Sequence, residues 1–306
     1  MHTTDHTKTY FALMGAVIFW GLSFVATKIA LTSIPTFTLI FARFSISALF
    51  FLTLILRNGL PRFSKKDHIF LFLLSLFEPG LYFIFETLGL QYTTAPKASL
   101  IIATIPIAVL ILSTIFLKEK SSPARLASIV LSFAGIFILI TGESGFRLSW
   151  EGSVIGDLLI FGAVISAALY IVSARNLGRR YSALEITSMQ VFYGSLFYAP
   201  AFLWELPAIE WSQISGSSLG AVVYLTVFAT IGAFLCYNFA LTRISATRAS
   251  LFINLIPVVT AIGAWILLNE TLTMIQAFGG LLVLFSVFIA SLPGLRAKTP
   301  EHILSK

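Results

Sequence analysis

Two glutamates, Glu78 and Glu86, lie in the stretch LSLFEPGLYFIFETLGL (Leu74 to Leu90), which is otherwise apolar and holds the helix-breaking pair Pro79-Gly80. Helix positions i, i+4 and i+8 share one broad face, so Glu78, Tyr82 and Glu86 are expected to point into one space, the two acids about 12 Å apart in depth. A carboxylate in hydrocarbon is expensive, so such side chains face a cavity or a partner and mark candidate functional sites. Pro79 cannot donate to the carbonyl of Ser75 and its ring crowds that turn, while Gly80 loosens it further. Backbone freed at that depth is tolerated only where protein or a water-filled cavity satisfies it. One cation lies at a comparable depth, Arg43, inside the second apolar run. It can neutralise only one of the two acids. The other is then available to a proton or a cationic substrate, and structural ion pairing with Arg43 is the alternative reading.

The elements that must position these groups are membrane helices. The 306 residues are 58% hydrophobic and 11% charged, and the mean hydropathy is +0.94, far from the composition of a soluble domain. Ten runs are long and apolar enough to cross a bilayer: 10–31, 36–56, 68–90, 95–117, 122–141, 153–173, 184–204, 216–240, 245–268 and 273–292. They are too apolar and too long for barrel strands, and the short connections leave no room for a soluble catalytic domain. The first run lacks the basic leader, short core and cleavage site of a signal peptide and is read as retained. Cys236 is the single cysteine, which excludes an intramolecular disulfide.

The net charge of +7 is a topology signal and gives no reason to expect nucleic acid. Counted by alternate sides, sixteen Lys and Arg lie with the N-terminus and three (Lys28, Lys97, Arg147) opposite, with Arg43 inside a span. The excess of basic residues predicts that both termini are cytoplasmic, in the cytoplasmic membrane.

The chain also repeats itself. At an offset of 151, APKASLIIATIPIAVLILSTIFLKE (Ala95 to Glu119) lies over ATRASLFINLIPVVTAIGAWILLNE (Ala246 to Glu270) with 11 identities in 25. At an offset of 147, GAVIFWGLSFVATK (Gly15 to Lys28) lies over GAVISAALYIVSAR (Gly162 to Arg175). Two five-span halves, 1–149 and 150–306, follow. Because five is odd, the second half enters from the other side, and the repeats are inverted. That architecture recurs in secondary transporters, with substrate bound near the midplane beside interrupted helices.

The residues resemble the drug/metabolite transporter superfamily in its ten-span EamA-type branch. The resemblance rests on WGLSFVATK (Trp20 to Lys28), on Arg43, and on SLIIATIPI (Ser99 to Ile107) closed by Glu119 with its second copy ending in Glu270. It implies an all-α basket of two inverted five-helix bundles, with spans 1, 3, 4, 6, 8 and 9 around a central cavity. Ala167-Ala168 replace Trp20-Gly21 in the second half, and Gln190 stands at the Arg43 equivalent, so the cavity is expected to be chemically asymmetric.

Further candidates line the same spans. Pro106 and Pro257 are repeat equivalents in spans 4 and 9, each freeing a carbonyl one turn back (Ile102, Ile253). Together with Pro79 and Gly80 they read as hinges or as packing kinks. Ser99 and Ser250 match across the repeat, whereas Ala103 is replaced by Asn254, a ligand group or an interhelical hydrogen-bond donor. Trp20, Tyr82 and Tyr237 lie inside spans rather than at interfaces and are able to hold an amine by cation–π contact. Glu119 and Glu270 end spans 4 and 9, where the helix dipole disfavours an acid, which suggests that they accept bonds from a neighbouring helix terminus. Asp157 is expected toward the outer vestibule if it faces water at all, Lys97 and Arg248 as snorkelling anchors, and Gly279-Gly280 as a close-packing site and a candidate homodimer contact.

The functional expectation is a secondary active transporter for a small metabolite (amino acid, amine or organic cation), proton-coupled and exporting by alternating access. An uncoupled facilitator or a channel-like pathway is the alternative. Enzyme chemistry has little to work with: His2, His6, His68 and His302 lie in tails or loops, HExxH and GxxxxGK[ST] are absent, and no cofactor or metal is expected. The substrate, the coupling ion and the direction are not legible.

Overall fold

The computed structural model describes residues 3–58, 63–116, 123–142, 153–174, 181–241, 252 and 254–291. The chain is all-helical over these residues. Its elements are α1 (Thr3–Ala30), α2 (Thr36–Asn58), α3 (Lys65–Ser75), a π-helical turn (Leu76–Leu81), α4 (Tyr82–Leu90), α5 (Ala95–Ile102) and α6 (Ile105–Phe116). They continue with α7 (Pro123–Thr141), α8 (Ser153–Ala174), α9 (Ala183–Glu205), α10 (Gly216–Tyr224), a second π-helical turn (Leu225–Gly232), α11 (Ala233–Leu241), α12 (Ile256–Leu268) and α13 (Met274–Ser291). Six stretches are long and apolar enough to cross a membrane: Lys8–Ala30, Thr36–Arg57, Lys65–Leu90, Ala95–Phe116, Ser153–Ser173 and Gly216–Tyr237. Leu126–Thr141, Ile256–Leu268 and Met274–Ala290 are shorter apolar helices.

Local signals set the helix ends. Ser64 caps α3 by accepting from the Asp67 N–H, Ser215 caps α10, and Ser182 with Glu185 forms a capping box on α9; each satisfies amides that the first helical turn leaves open. Two carboxylates from distant elements do the same across the fold. Glu205 accepts from the Phe37 and Thr38 N–H groups at the start of α2, and Glu270 accepts from the Ala95 N–H at the start of α5, 2.7 Å away. Both place a negative charge where the helix dipole is positive. The role expected for Glu270, accepting from a neighbouring helix terminus, is what its carboxylate does. Its repeat partner Glu119 lies outside the described residues.

Large apolar side chains such as Phe11, Leu56, Trp265 and Leu281 are exposed on the outer surface, as a chain solvated by lipid requires. Inside, Val17, Phe24, Leu90, Ile101, Ile160, Val164 and Ile256 form a common core. Close backbone approaches depend on glycine. A Cβ on Gly135 of α7 would lie 2.8 Å from the Gly279 carbonyl of α13, and one on Gly279 would lie 2.9 Å from that of Gly135. A Cβ on Gly280 would meet Leu100 at 2.7 Å. Gly279-Gly280 therefore permits the close helix packing expected of it, here between helices of its own chain. Gly135→Leu is expected to force α7 and α13 apart, cost about 1–3 kcal/mol and lower the thermal unfolding midpoint of the detergent-solubilised protein.

The expectation for Lys97 is corrected, and that for Asp157 resolves to burial. Lys97 does not snorkel and Asp157 does not face a vestibule: both side chains have 0% exposure, and Nζ lies 2.6 Å from Oδ2. Lysine reaches water only when its helix end is near the interface; here α5 begins against α8, and Asp157 is the nearer ionic partner. Thr93 Oγ1 donates to the same carboxylate, Lys28 Nζ donates to the Thr93 carbonyl, and Lys28 pairs with Glu270 at 2.5 Å. These bonds tie the ends of α1, α4 and α12 and the starts of α5 and α8 together. Arg248, the repeat equivalent of Lys97, lies outside the described residues.

Candidate functional site

The stretch that carries the two glutamates is not one regular helix. Glu78 adopts φ −140° and ψ 115° inside the π-helical turn, so the face shared by Tyr82 and Glu86 on α4 does not extend to Glu78 as a continuous helix would have it. Pro79 supplies no N–H, and the turn around it opens three successive carbonyls to donors from outside, that of Pro79 also accepting from the Tyr82 N–H. One neighbouring helix does this. From α9, Gln190 Nε2 donates to the Glu78 carbonyl at 2.9 Å, and the Tyr198 hydroxyl is shared between the carbonyls of Pro79 at 2.6 Å and Gly80 at 2.8 Å. Gly194 stands between them, where a Cβ would lie 2.5 Å from Pro79 Cγ. Spacings of four put Gln190, Gly194 and Tyr198 on one stripe.

Glu86 is buried on α4 at 4% exposure, and its Oε2 has no hydrogen-bond partner among the described residues. Arg43 is buried on α2 at 5% exposure. No ion pair joins Arg43 to Glu78 or Glu86 among the described residues. Instead, its Nε donates to Thr230 Oγ1 at 2.6 Å, and its guanidinium carbon lies 4.6 Å from the Phe83 ring centre and 5.8 Å from that of Phe44. Cation–π contact and a neutral hydroxyl support the charge without cancelling it. Glu86, Tyr82 and Tyr198 lie within electrostatic reach of Arg43. The result is a buried carboxylate and a buried guanidinium on facing helices, each with capacity to bind, over a floor of Tyr82, Phe83, Phe44 and Tyr198.

A second group adjoins this one. Thr230, which holds Arg43, belongs to the second π-helical turn and donates to the Leu225 carbonyl. The preceding residue, Ala229, accepts from Trp20 Nε1 at 3.1 Å. Trp20 packs against Tyr237 with ring centres 5.3 Å apart and against Phe234 at 5.6 Å. Side chains of α1 and α2 thus meet at consecutive residues of the second turn, as those of α9 meet at the first.

The remaining candidates are spread more widely. Asn254 is half-buried in the turn before α12. Ser99 donates to the Pro96 carbonyl of its own helix, so its hydroxyl is engaged within α5. Pro106 is exposed and Pro257 buried; each follows a helix start, Ile105 or Ile256, after an interruption of the backbone. Ser250 and Ile253 lie outside the described residues. An apolar groove of about 310 Å³, lined by Leu22, Val259, Ile262, Gly263, Ile266 and Leu267, faces outward between α1 and α12 and carries none of these groups. No group of three or more His, Cys, Asp or Glu stands together as a metal site among the described residues.

Sequence reasoning did not name Tyr198, Gly194, Thr230 or Phe83. A readable signal existed for two of them: Gln190, Gly194 and Tyr198 recur every four residues on an apolar helix, the spacing of a single polar stripe.

Comparison with known proteins gives concordant results. The model of the EamA-like transporter family matches residues 7–141 and 154–292. A protein of Archaeoglobus fulgidus described as an uncharacterized transporter is 30% identical over 282 residues, covering 92% of this chain and 98% of its own. The uncharacterized transporter YetK of Bacillus subtilis is 28% identical over 282 residues, covering 92% and 86%. A protein of known crystal structure aligns with a TM-score of 0.65 at 20% identity, over 94% of this chain and 98% of its own, which shows a shared fold.

Proposed function

Because the chain belongs to the EamA-like transporter family, and is a multi-pass membrane transporter rather than an enzyme, we propose that it is a secondary active transporter whose Glu86 and Glu78 exchange a proton for a cationic or zwitterionic metabolite. The observation that carries this reading is a buried carboxyl and a buried guanidinium that form no ion pair with each other among the described residues, Glu86 with an Oε2 lacking a hydrogen-bond partner and Arg43 on Phe83. Desolvated charges persist where function requires them, and a carboxylate that alternates between a proton and an amine couples the two fluxes. Tyr82, Trp20 and Tyr237 supply the aromatic surface, and the substrate class is a small amine, amino acid or organic cation.

The transport cycle we infer is alternating access between two inverted five-helix repeats, 1–149 and 150–306, with ten crossings and both termini cytoplasmic. Several structural coincidences support it. Lys65–Leu90 and Gly216–Leu241 begin and end in step at the 151-residue offset, their π-helical turns close in step at Leu81 and Gly232, and α6 and α12 start in step as well. Ser64 and Ser215 cap equivalent helices. Arg43 and Gln190, 147 residues apart, each reach the broken helix of the opposite repeat. The ion pairs Lys28–Glu270 and Lys97–Asp157 join the halves at one end of the molecule. The positive-inside count supports the orientation in the cytoplasmic membrane, and export is what the family resemblance implies.

The test has two stages. A thermal-shift panel of amino acids, amines, choline and carboxylates on the wild type and on Glu86→Gln selects a ligand whose stabilisation disappears in the variant. Flux of that ligand into proteoliposomes under an imposed pH gradient is then expected to lose its gradient dependence in Glu86→Gln, and to be reduced at least about tenfold, the equivalent of roughly 1.4 kcal/mol, in Glu78→Gln. Gradient-dependent uptake unchanged in both variants excludes the carboxylates as coupling groups, and uptake by the wild type that ignores the gradient leaves the uncoupled facilitator.

A further inference from the structure

We propose that Gln190, Gly194 and Tyr198 of α9 are positioning residues that hold the Glu78 carboxyl in its working orientation, a role that rests on the reading of Glu78 as a proton or substrate site. Glu78 lies in the only segment of its helix where φ and ψ leave the helical range, so its side-chain direction is not set by helix geometry. What sets it is the fixation of the carbonyls on both sides of the Glu78–Pro79 bond and the next one along. Gln190 holds the carbonyl of Glu78 itself, and Tyr198 holds those of Pro79 and Gly80. Gly194 lets the Pro79 ring approach α9 to the distance at which both donors reach. Tyr198 is 1% exposed, so no water competes for its hydroxyl. Rotation at Glu78 requires one or more of these bonds to break, and α9 is therefore the element against which Glu78 moves.

The second broken helix is held in the same manner, which argues for a working device over incidental packing. Arg43 of α2 engages Thr230, whose hydroxyl donates to the Leu225 carbonyl, and Trp20 of α1 engages the Ala229 carbonyl. Ala229 is the residue 151 positions after Glu78. The second turn is thus clasped at the equivalent residue although it carries no acid, and only the first turn uses the clasp to aim one.

The titratable groups that face Glu78 are Tyr82 on α4, Tyr170 on α8 and Tyr198 on α9; Glu86 and Arg43 stand beyond Tyr82 and Tyr198. The experiment is an infrared pH titration of the purified full-length protein, following the C=O stretch of protonated carboxyl groups. Glu78→Gln and Glu86→Gln assign the two bands. In Tyr198→Phe the midpoint of the Glu78 band is expected to move by about half a pH unit, because a carboxyl released from its orientation meets different surroundings in its charged form, while the Glu86 band moves less. Gln190→Met gives a second, independent shift if Tyr198→Phe does not fold. Tyr193→Phe, on the same helix but bonded to His68, leaves the Glu78 midpoint in place. A Glu78 band that keeps its midpoint in Tyr198→Phe and in Gln190→Met overturns the positioning role alone. A wild-type spectrum in which Glu78→Gln removes no titrating band overturns the proton-site reading and the positioning role together.

Discussion

Lys97→Met is expected to destabilise the protein by roughly 3–5 kcal/mol, because it withdraws the countercharge from a carboxylate held in the interior. Lys97 and Asp157 have no exposed side-chain surface and meet at 2.6 Å. Thr93 Oγ1, which donates to the same carboxylate at 2.6 Å, offsets only a fraction of the lost attraction, since a hydroxyl carries no net charge. Asp157→Asn strands the ammonium instead and is expected to cost a similar amount. The double variant Lys97→Met/Asp157→Leu is expected to recover most of the loss, because an apolar pair of similar volume removes the desolvation cost with the attraction. Denaturant titration of the detergent-solubilised protein measures all three. A double variant as unstable as the singles would show that the pair contributes through more than mutual neutralisation, for example through the Thr93 connection to Lys28.

Gly156→Val is expected to have the second-largest effect and to act through the same region by a different force. A Cβ at residue 156 would lie 2.8 Å from the Gly89 carbonyl oxygen and 2.8 Å from the Thr93 amide, with the Tyr92 carbonyl carbon at 2.9 Å. These are backbone atoms of the last turn of α4 and of its connection to α5, so no side-chain rotation relieves the overlap, and α8 must withdraw from α4. Overpacking of this kind costs about 1–3 kcal/mol, occasionally more. Asp157, the next residue, is carried away from Lys97 by the same displacement, so the two costs combine. Gly156→Ala is expected to show a smaller loss in the same direction. Gly220→Val is the control, because nothing lies within 4 Å of a Cβ at that position. Thermal unfolding midpoints of the three variants, read beside wild type, separate steric overlap from a general intolerance of valine at glycine positions.

Both effects arise where charged or glycine residues serve tertiary contacts, and this is where sequence reading fell short. Lys97 opens a helix beside a connection, and from that position alone an interfacial anchor is the natural expectation; the neighbour that overrides it, Asp157, is sixty residues away in the chain. For Arg43 the sequence offers as partners only the acids near its own depth. The structure gives it a threonine and two phenyl rings, which leaves its charge available in a way that pairing with Glu86 would not. Glu270 is legible from sequence, because an acid at a helix C-terminus opposes the local dipole and must answer to something outside its helix.

The membrane character, the helical class, the interruption at Pro79-Gly80 and the presence of two acids at depth were all determined by the sequence alone. They follow from composition, from hydropathy over runs of fixed length and from the missing N–H of proline, none of which depends on neighbours. Depth along a helix is likewise readable, since each residue adds 1.5 Å. What the tertiary structure decided is which groups meet: Tyr198 and Gln190 at the first broken helix, Trp20 and Arg43 at the second, Lys97 with Asp157 and Lys28 with Glu270. Partnership between helices depends on their rotation about their own axes and on which ones lie side by side, and in a chain this uniformly apolar the sequence pattern constrains neither.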